Sequence, residues 1–225
     1  KNGALADTNT NLVDKAIINN KAAVALYYAD TLGLNDTDFS LANVTEYQSS
    51  VTATKADADN QVSQTFTLTA AADSFTGTSA NDTFVATDAT LGALDSIAGG
   101  AGADVMNYID LTGNTAIQPT LQMSSIETMN VRSAGTANVD INKIGITDVA
   151  KLNITQGTAA TATVKSTTDV EVSNIVGATL ITGGDDVSVH DVTGTIAVNG
   201  AKNVTITDAT ADNAITIGAT AVTGT

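Results

Sequence analysis

The sequence predicts a mainly β protein: a parallel β-helix or β-roll solenoid, right-handed, preceded by a small α-helical module. Three observations carry this. A short apolar-polar-apolar motif recurs down the second half of the chain, from Met129-Asn130-Val131 to Ile215-Thr216-Ile217. A glycine nonapeptide of the β-roll type, G-G-x-G-x-D-x-U-x, is complete at Gly99–Asn107. Helical periodicity is confined to the first 60 residues.

In chain order, residues 12–34 place Ile17, Val24, Tyr27, Tyr28 and Leu32 at three- and four-residue steps, with Gly33 as the C-cap. Asn35-Asp36-Thr37-Asp38 is turn chemistry, a second helix is expected over 41–56, and Asp57-Ala58-Asp59-Asn60 reads as a polar linker. Residues 1–60 therefore form the helical module, too small to bury much core alone. Val62–Thr69 alternates and predicts a strand. Gly77–Val85 is a degenerate nonapeptide, with Asp82 sixth and Phe84 eighth, lying 22 residues before the complete one. Leu91, Leu94 and Ile97 between them are expected to be structural. Residues 61–125 form a β-roll segment on this reading, and residues 126–225 the solenoid proper.

In that last segment the motif recurs at Val139, Leu152, Ala162, Val170, Leu180, Val187, Ile196 and Val204, about 8 to 11 residues apart from Val164 onward. A sandwich or barrel also fits this spacing. The solenoid is favoured because the strands are three to five residues long, two-residue hairpin signals are weak, and the pattern continues to the last residue. Alternating β-branched residues would stack in ladders, with Ala and Thr filling the space that few aromatics leave.

The chemistry is acidic and oxygen-rich. The 225 residues include 24 acids against 9 bases, a net charge of −15. Of the acids, 21 are Asp and 3 are Glu, and Asp favours turns and hard-cation ligation over helical faces. So little positive charge argues against nucleic acid. Without cysteine there is neither a disulfide framework nor a thiolate metal site. No apolar run approaches the roughly 18 residues that would insert in a membrane. With no initiating Met and no signal peptide, and a pattern cut at both ends, the chain reads as a fragment of a longer one.

The favoured ligands for Ca2+ are Asp104 with the carbonyls of Gly100 and Gly102, then Asn81, Asp82 and Asp95, then Asp110. The competing reading is a glycine turn capped by an Asx side chain. Gly183-Gly184-Asp185-Asp186-Val187 is a weaker echo, and Asp208 and Asp212 read as turns. No catalytic residues are assigned. His190, the single histidine, neighbours Asp191, but adjacent strand residues point to opposite faces, and Ser188 has no oxyanion arrangement beside it. A polysaccharide lyase would need paired acids or a basic residue in a cleft, and Arg132 is the single arginine. The four tyrosines, Tyr27, Tyr28, Tyr47 and Tyr108, suit packing better than a sugar platform.

Thr67–Thr69, Asp73–Phe84, Ser96–Tyr108 and Ile126–Val131 together resemble RTX-type surface-layer proteins and large adhesins of Gram-negative bacteria. The segment Asn20–Leu34, followed by Val44-Thr45 and Ser49–Val51, resembles the helical module that precedes such regions. The resemblance spans most of residues 15–131. It implies type I secretion to the bacterial cell surface, calcium-dependent folding and, for surface-layer members, self-assembly into a lattice. Lipopolysaccharide or another surface glycan is an expected partner, and an adhesin segment that binds glycans or host surfaces is the alternative. One complete nonapeptide, where calcium-rich blocks have several in tandem, implies few ions.

Overall fold

A computed structural model describes residues 62–113, 116–118, 120–207 and 214–218. The predicted helices at 12–34 and 41–56 and the turns at Asp208 and Asp212 lie outside the described residues. The chain divides into two units, Lys1–Ser63 and Gln64–Thr225. The second is a parallel β-solenoid of about eight coils, and every paired strand in it is parallel.

One sheet runs the length of the stack: β1 (Thr65–Thr67), β3 (Thr83–Thr87), β5 (Val105–Asp110), β7 (Thr128–Ser133), β9 (Lys151–Gln156), β11 (Asp169–Ile175), β13 (Asp186–Val192) and β15 (Asn203–Thr207). A second, three-stranded sheet holds β2 (Ser74–Thr76), β4 (Ser96–Ala98) and β6 (Gln122–Ser124). A third holds β8 (Thr136–Asp140), β10 (Ala159–Thr163), β12 (Thr179–Thr182), β14 (Ile196–Asn199) and β16 (Ile215–Gly218). Each of the ten short motifs of the second half falls on one of these strands, with Ile141 and Val164 one residue past the ends of β8 and β10. The 8-to-11-residue spacing is half a coil, because each late coil contributes two strands.

The coils change cross-section along the stack. Early coils pair the long sheet with the β2–β4–β6 sheet, and late coils pair it with the β8–β16 sheet. The coil that begins at β7 has all three sides, since Ile146 bridges Met123 after β8 has already formed. Coil length follows. Equivalent residues lie 22 or 23 apart where the β2–β4–β6 side is present and 18 or 17 apart where it is gone.

The core is built from stacked columns, because parallel register places equivalent residues directly over one another. Phe84, Met106, Met129, Leu152, Val170 and Val187 form one column of the long sheet. Ala86, Tyr108, Val131, Ile154, Val172 and Val189 form the next, and both columns are buried. The Phe84–Met106 rung joins the eighth positions of the two nonapeptides, as their 22-residue spacing predicts. Phe66 caps this end, stacked on Phe84 with centroids 4.9 Å apart and tilted against Phe75 at 5.4 Å. Tyr108 is core, and its buried hydroxyl is pushed to a higher pKa by desolvation and then by the charges of Asp110 and Asp88.

Two expectations change. Leu91 and Ile97 are buried, but Leu94 is 80% exposed, because it sits on the loop just before the corner rather than on a strand. The alternation along β13 breaks at Asp191, whose φ is +53°. Its neighbour in the stack, Asn174, has φ +55°. Asn and Asp tolerate this left-handed region, and here they bend the strands round a corner so that Ile175 and Val192 still point inward.

One inward rung departs from apolar character. Thr179 lies between Ala160 and Ile196 in the third sheet, 1% exposed, with its hydroxyl in no hydrogen bond. Thr179→Val keeps the shape and removes the stranded group, so it is expected to stabilise the chain by about 1 kcal/mol. Thermal melting checks this, and a lower Tm for the variant contradicts it.

Candidate metal centre

The corner where the chain enters the long sheet carries both nonapeptides. Turn geometry forces glycine there. Gly99 stacks between Gly77 and Ser125, and its own N–H donates to Ser124 O in the next coil. A Cβ on Gly99 would lie 1.7 Å from Ser125 O and 2.5 Å from Asp104 Oδ2. Gly100 and Gly102 have φ of +104° and +124°, and a Cβ on either would collide with the carbonyl of Thr78 or Ala80 in the preceding coil. Their glycine identity is thus explained by close approach and left-handed backbone.

The acids of this corner form a column with one member per coil. Asp82 accepts from Gln64 N–H at 2.6 Å, from Thr78 N–H and from the Thr78 hydroxyl. The N–H of Asp82 donates to Asp104 Oδ1 at 2.7 Å, and the N–H of Asp104 donates to Glu127 Oε2 at 2.8 Å. Each carboxylate thereby satisfies the main-chain donor of the coil before it, a charge-assisted bond in a setting where a buried N–H has no water. Asn81 bonds in the opposite sense alongside, accepting from Ala103 N in the following coil at 2.8 Å.

Asp104 differs from its neighbours in one respect. Asp82 and Asp104 are both 1% exposed, but Oδ2 of Asp104 has no hydrogen-bond partner. The matching oxygen of Asp82 is held by Thr78 N. Burial pushes the Asp104 carboxyl above its usual pKa. The hydrogen bond from Asp82 opposes this, and the charges of Glu127 and Asp82 add to it. The corner thus brings together a stranded carboxylate oxygen, the Ser125 carbonyl close by, and two further carboxylates one coil away on either side. Hard, oxygen-only surroundings of this kind suit Ca2+ better than Zn2+. Among the described residues no three acidic or histidine side chains converge as a preformed cage.

The seven sequence candidates separate. Asn81, Asp82, Gly100, Gly102 and Asp104 share this corner. Asp95 stands at another, before β4, where it accepts from Asp73 N at 2.9 Å and Gly92 N at 2.7 Å. Asp110 ends β5 at a third, accepting from Gly113 N at 2.9 Å and the Ser133 hydroxyl at 3.1 Å. Both are buried and serve as turn acceptors. Glu127 and Ser125 were missed as members of the first corner. Glu127 had a signal, since it lies one 23-residue coil after Asp104; Ser125 had none.

The echo at Gly183–Asp186 occupies the same corner four coils further on. Gly183 and Gly184 both have positive φ, and Asp185 takes the rung of Asp104. There Lys202 supplies the cation, with Nζ 2.9 Å from Asp185 Oδ1, and its pKa is raised chiefly by that contact.

On the outer face of the long sheet, His190 Nδ1 lies 2.9 Å from Asp191 Oδ2 and Nε2 lies 3.6 Å from Glu171 Oε1. The sequence expectation of opposite faces for His190 and Asp191 fails because of the left-handed Asp191. Lys151 Nζ holds the other oxygen of Glu171 at 2.9 Å. Asp191 first, then Glu171, raise the imidazole pKa. Nε2 is turned to Glu171, so the group forms an ion-pair cluster and does not present Ser188 with a base.

Among the described residues no helix is long and apolar enough to cross a membrane. No protein-family model matches the chain, and no curated protein matches it.

Proposed function

We propose that this chain is a structural segment of a secreted, calcium-stabilised surface protein that self-assembles into a surface-layer lattice on bacterial cells. The observation that supports it best is the stranded Oδ2 of Asp104, set in the acid column of the complete nonapeptide turn. Asp104 Oδ2 and the Ser125 carbonyl are the residues that would hold Ca2+, with Glu127 and Asp82 adding charge from the adjacent coils. The ion supplies positive charge where three stacked carboxylates repel, and its binding free energy adds to folding free energy. At low calcium the repulsion stands uncompensated and the first coils are weak; outside the cell they close. The regular polar faces of the solenoid then offer repeated surfaces for contact between copies.

Electron microscopy of the purified chain with calcium, and again after EGTA, tests the lattice. Ordered two-dimensional sheets that disperse on chelation are expected. Dispersed particles in both conditions, with affinity for a glycan, replace this reading with that of an adhesin segment.

A further inference from the structure

The outer face of the long sheet carries an amide ladder that stops short. Asn130 donates to Asn107 Oδ1 at 2.9 Å, and Asn153 donates to Asn130 Oδ1 at 2.8 Å. Asn153 Oδ1 is then buried with no hydrogen-bond partner. Its rung neighbour in the next coil is Glu171. An amide there would carry the ladder on by donating to that oxygen. Glu171 is instead a carboxylate, turned to Lys151 Nζ at 2.9 Å and to His190 Nε2 at 3.6 Å. The residue on the other side of the imidazole is equally particular. Asn174 makes the left-handed bend one coil earlier without a charge, whereas Asp191 makes it with a carboxylate 2.9 Å from His190 Nδ1.

Both imidazole nitrogens therefore face carboxylates. A neutral imidazole carries one N–H, so its other nitrogen would turn a lone pair to an anionic oxygen; the protonated ring suits both. The remaining neighbours do not offset this. Ser173 of β11 and Thr207 of β15 are the rung neighbours of His190 and are neutral. Lys151 of β9 lies beyond Glu171, on its other oxygen. With a neutral ring, Lys151, Glu171 and Asp191 leave one net negative charge, and a proton on His190 brings the cluster to neutrality.

We propose that this cluster is a proton-operated clamp on the late coils: a proton taken up by His190 ties β13 to β11 and fixes the Asp191 corner, and its loss loosens that corner. The Asp191 hydrogen bond, opposed by burial and then aided by Glu171, holds the imidazole pKa above its usual 6.5. The clamp is therefore fully closed below 6.5 and opens as pH rises through the folded value, within the range where histidine alone changes charge. It uses neither calcium nor the acid corner, so either can fail alone.

The chain has one histidine, so imidazole 15N shifts of the full chain report His190 directly. The expected titration midpoint lies above 6.5, and both Glu171→Gln and Asp191→Asn lower it. Backbone hydrogen exchange at 187–192, corrected for intrinsic rate, is the second readout. Protection there should be about two- to fivefold higher at about pH 5.5 than at about pH 8. His190→Gln, altered on the outer face, should keep the circular dichroism spectrum and lose that difference. A wild-type midpoint at or below 6.5 overturns the proposal. So does a midpoint that neither carboxylate variant moves, or a His190→Gln chain whose exchange at 187–192 keeps the wild-type pH dependence.

Discussion

Asp104→Asn is expected to raise the Tm of the calcium-free protein and to abolish any stabilisation by calcium. Ordinarily, replacing a buried carboxylate that accepts a main-chain hydrogen bond weakens a protein. Here Oδ1 is the acceptor for Asp82 N, and an Asn carbonyl keeps that bond. Oδ2 has no donor, so the amide nitrogen replaces a stranded anionic oxygen with a group able to donate to the nearby Ser125 carbonyl. Relief of an unsatisfied buried acceptor is worth about 1–2 kcal/mol, or roughly 2–8 °C for a domain of this size. Asp104→Ala has the opposite sign, because it leaves Asp82 N–H without an acceptor.

The pH dependence follows from the same atom. The folded chain holds the Asp104 proton more tightly than the unfolded chain does, since the carboxyl is raised from 3.8. Its contribution to stability is therefore lost as pH rises from 3.8 through the folded value, and its full cost is present above that. Asp148 and Glu171, held below their usual values by Ser125 N–H and by Lys151 respectively, act in the reverse sense and in a lower window. Asp104→Asn should flatten the upper slope and leave the lower one. Urea titrations across pH, in EGTA, measure both.

Gly99→Ala is expected to be the most damaging single methyl in the described chain. Its Cβ would stand 1.7 Å from a backbone carbonyl oxygen and 2.5 Å from the buried Asp104 carboxylate, and a carbonyl held in the coil stack has little room to move. Overpacking of this severity costs about 3 kcal/mol or more, a Tm loss of roughly 6–12 °C. Gly92→Ala is the control. Its Cβ would meet only the Asp95 carboxylate, at 3.6 Å, which is ordinary contact, so a change within about 0.5 kcal/mol is expected. Equal losses at the two glycines would mean that the coil spacing is looser than the stacked turns imply.

Strand existence was legible because burial in a solenoid repeats locally. Ten apolar-polar-apolar motifs mark ten strands, and the 22-residue offset between Phe84 and Met106 sets the register of β3 on β5. The switch between sheets was not legible. Whether a coil turns through the β2–β4–β6 side or the β8–β16 side depends on loops with no periodicity, such as the stretch around Ile146. Exposure of Leu94 was lost for the same reason. The acid corner was half legible. Composition and the glycine pattern pointed to Asp104 and Asp82, but neither shows that one oxygen of Asp104 lacks a donor while its counterpart in Asp82 has one. That difference lies in the turn: Thr78 supplies an N–H to Asp82, and Gly100, four residues before Asp104 with φ +104°, makes no matching bond. Strand alternation misplaced Asp191, because a left-handed residue in mid-strand leaves no mark in the pattern.

Calorimetric titration of the chain with calcium, alongside Asp104→Asn, tests the central claim most directly. The account predicts saturable binding to the wild type that raises its Tm, and loss of both in the variant. Wild-type protein that melts at the same temperature in calcium and in EGTA, with no heat of binding, would contradict it.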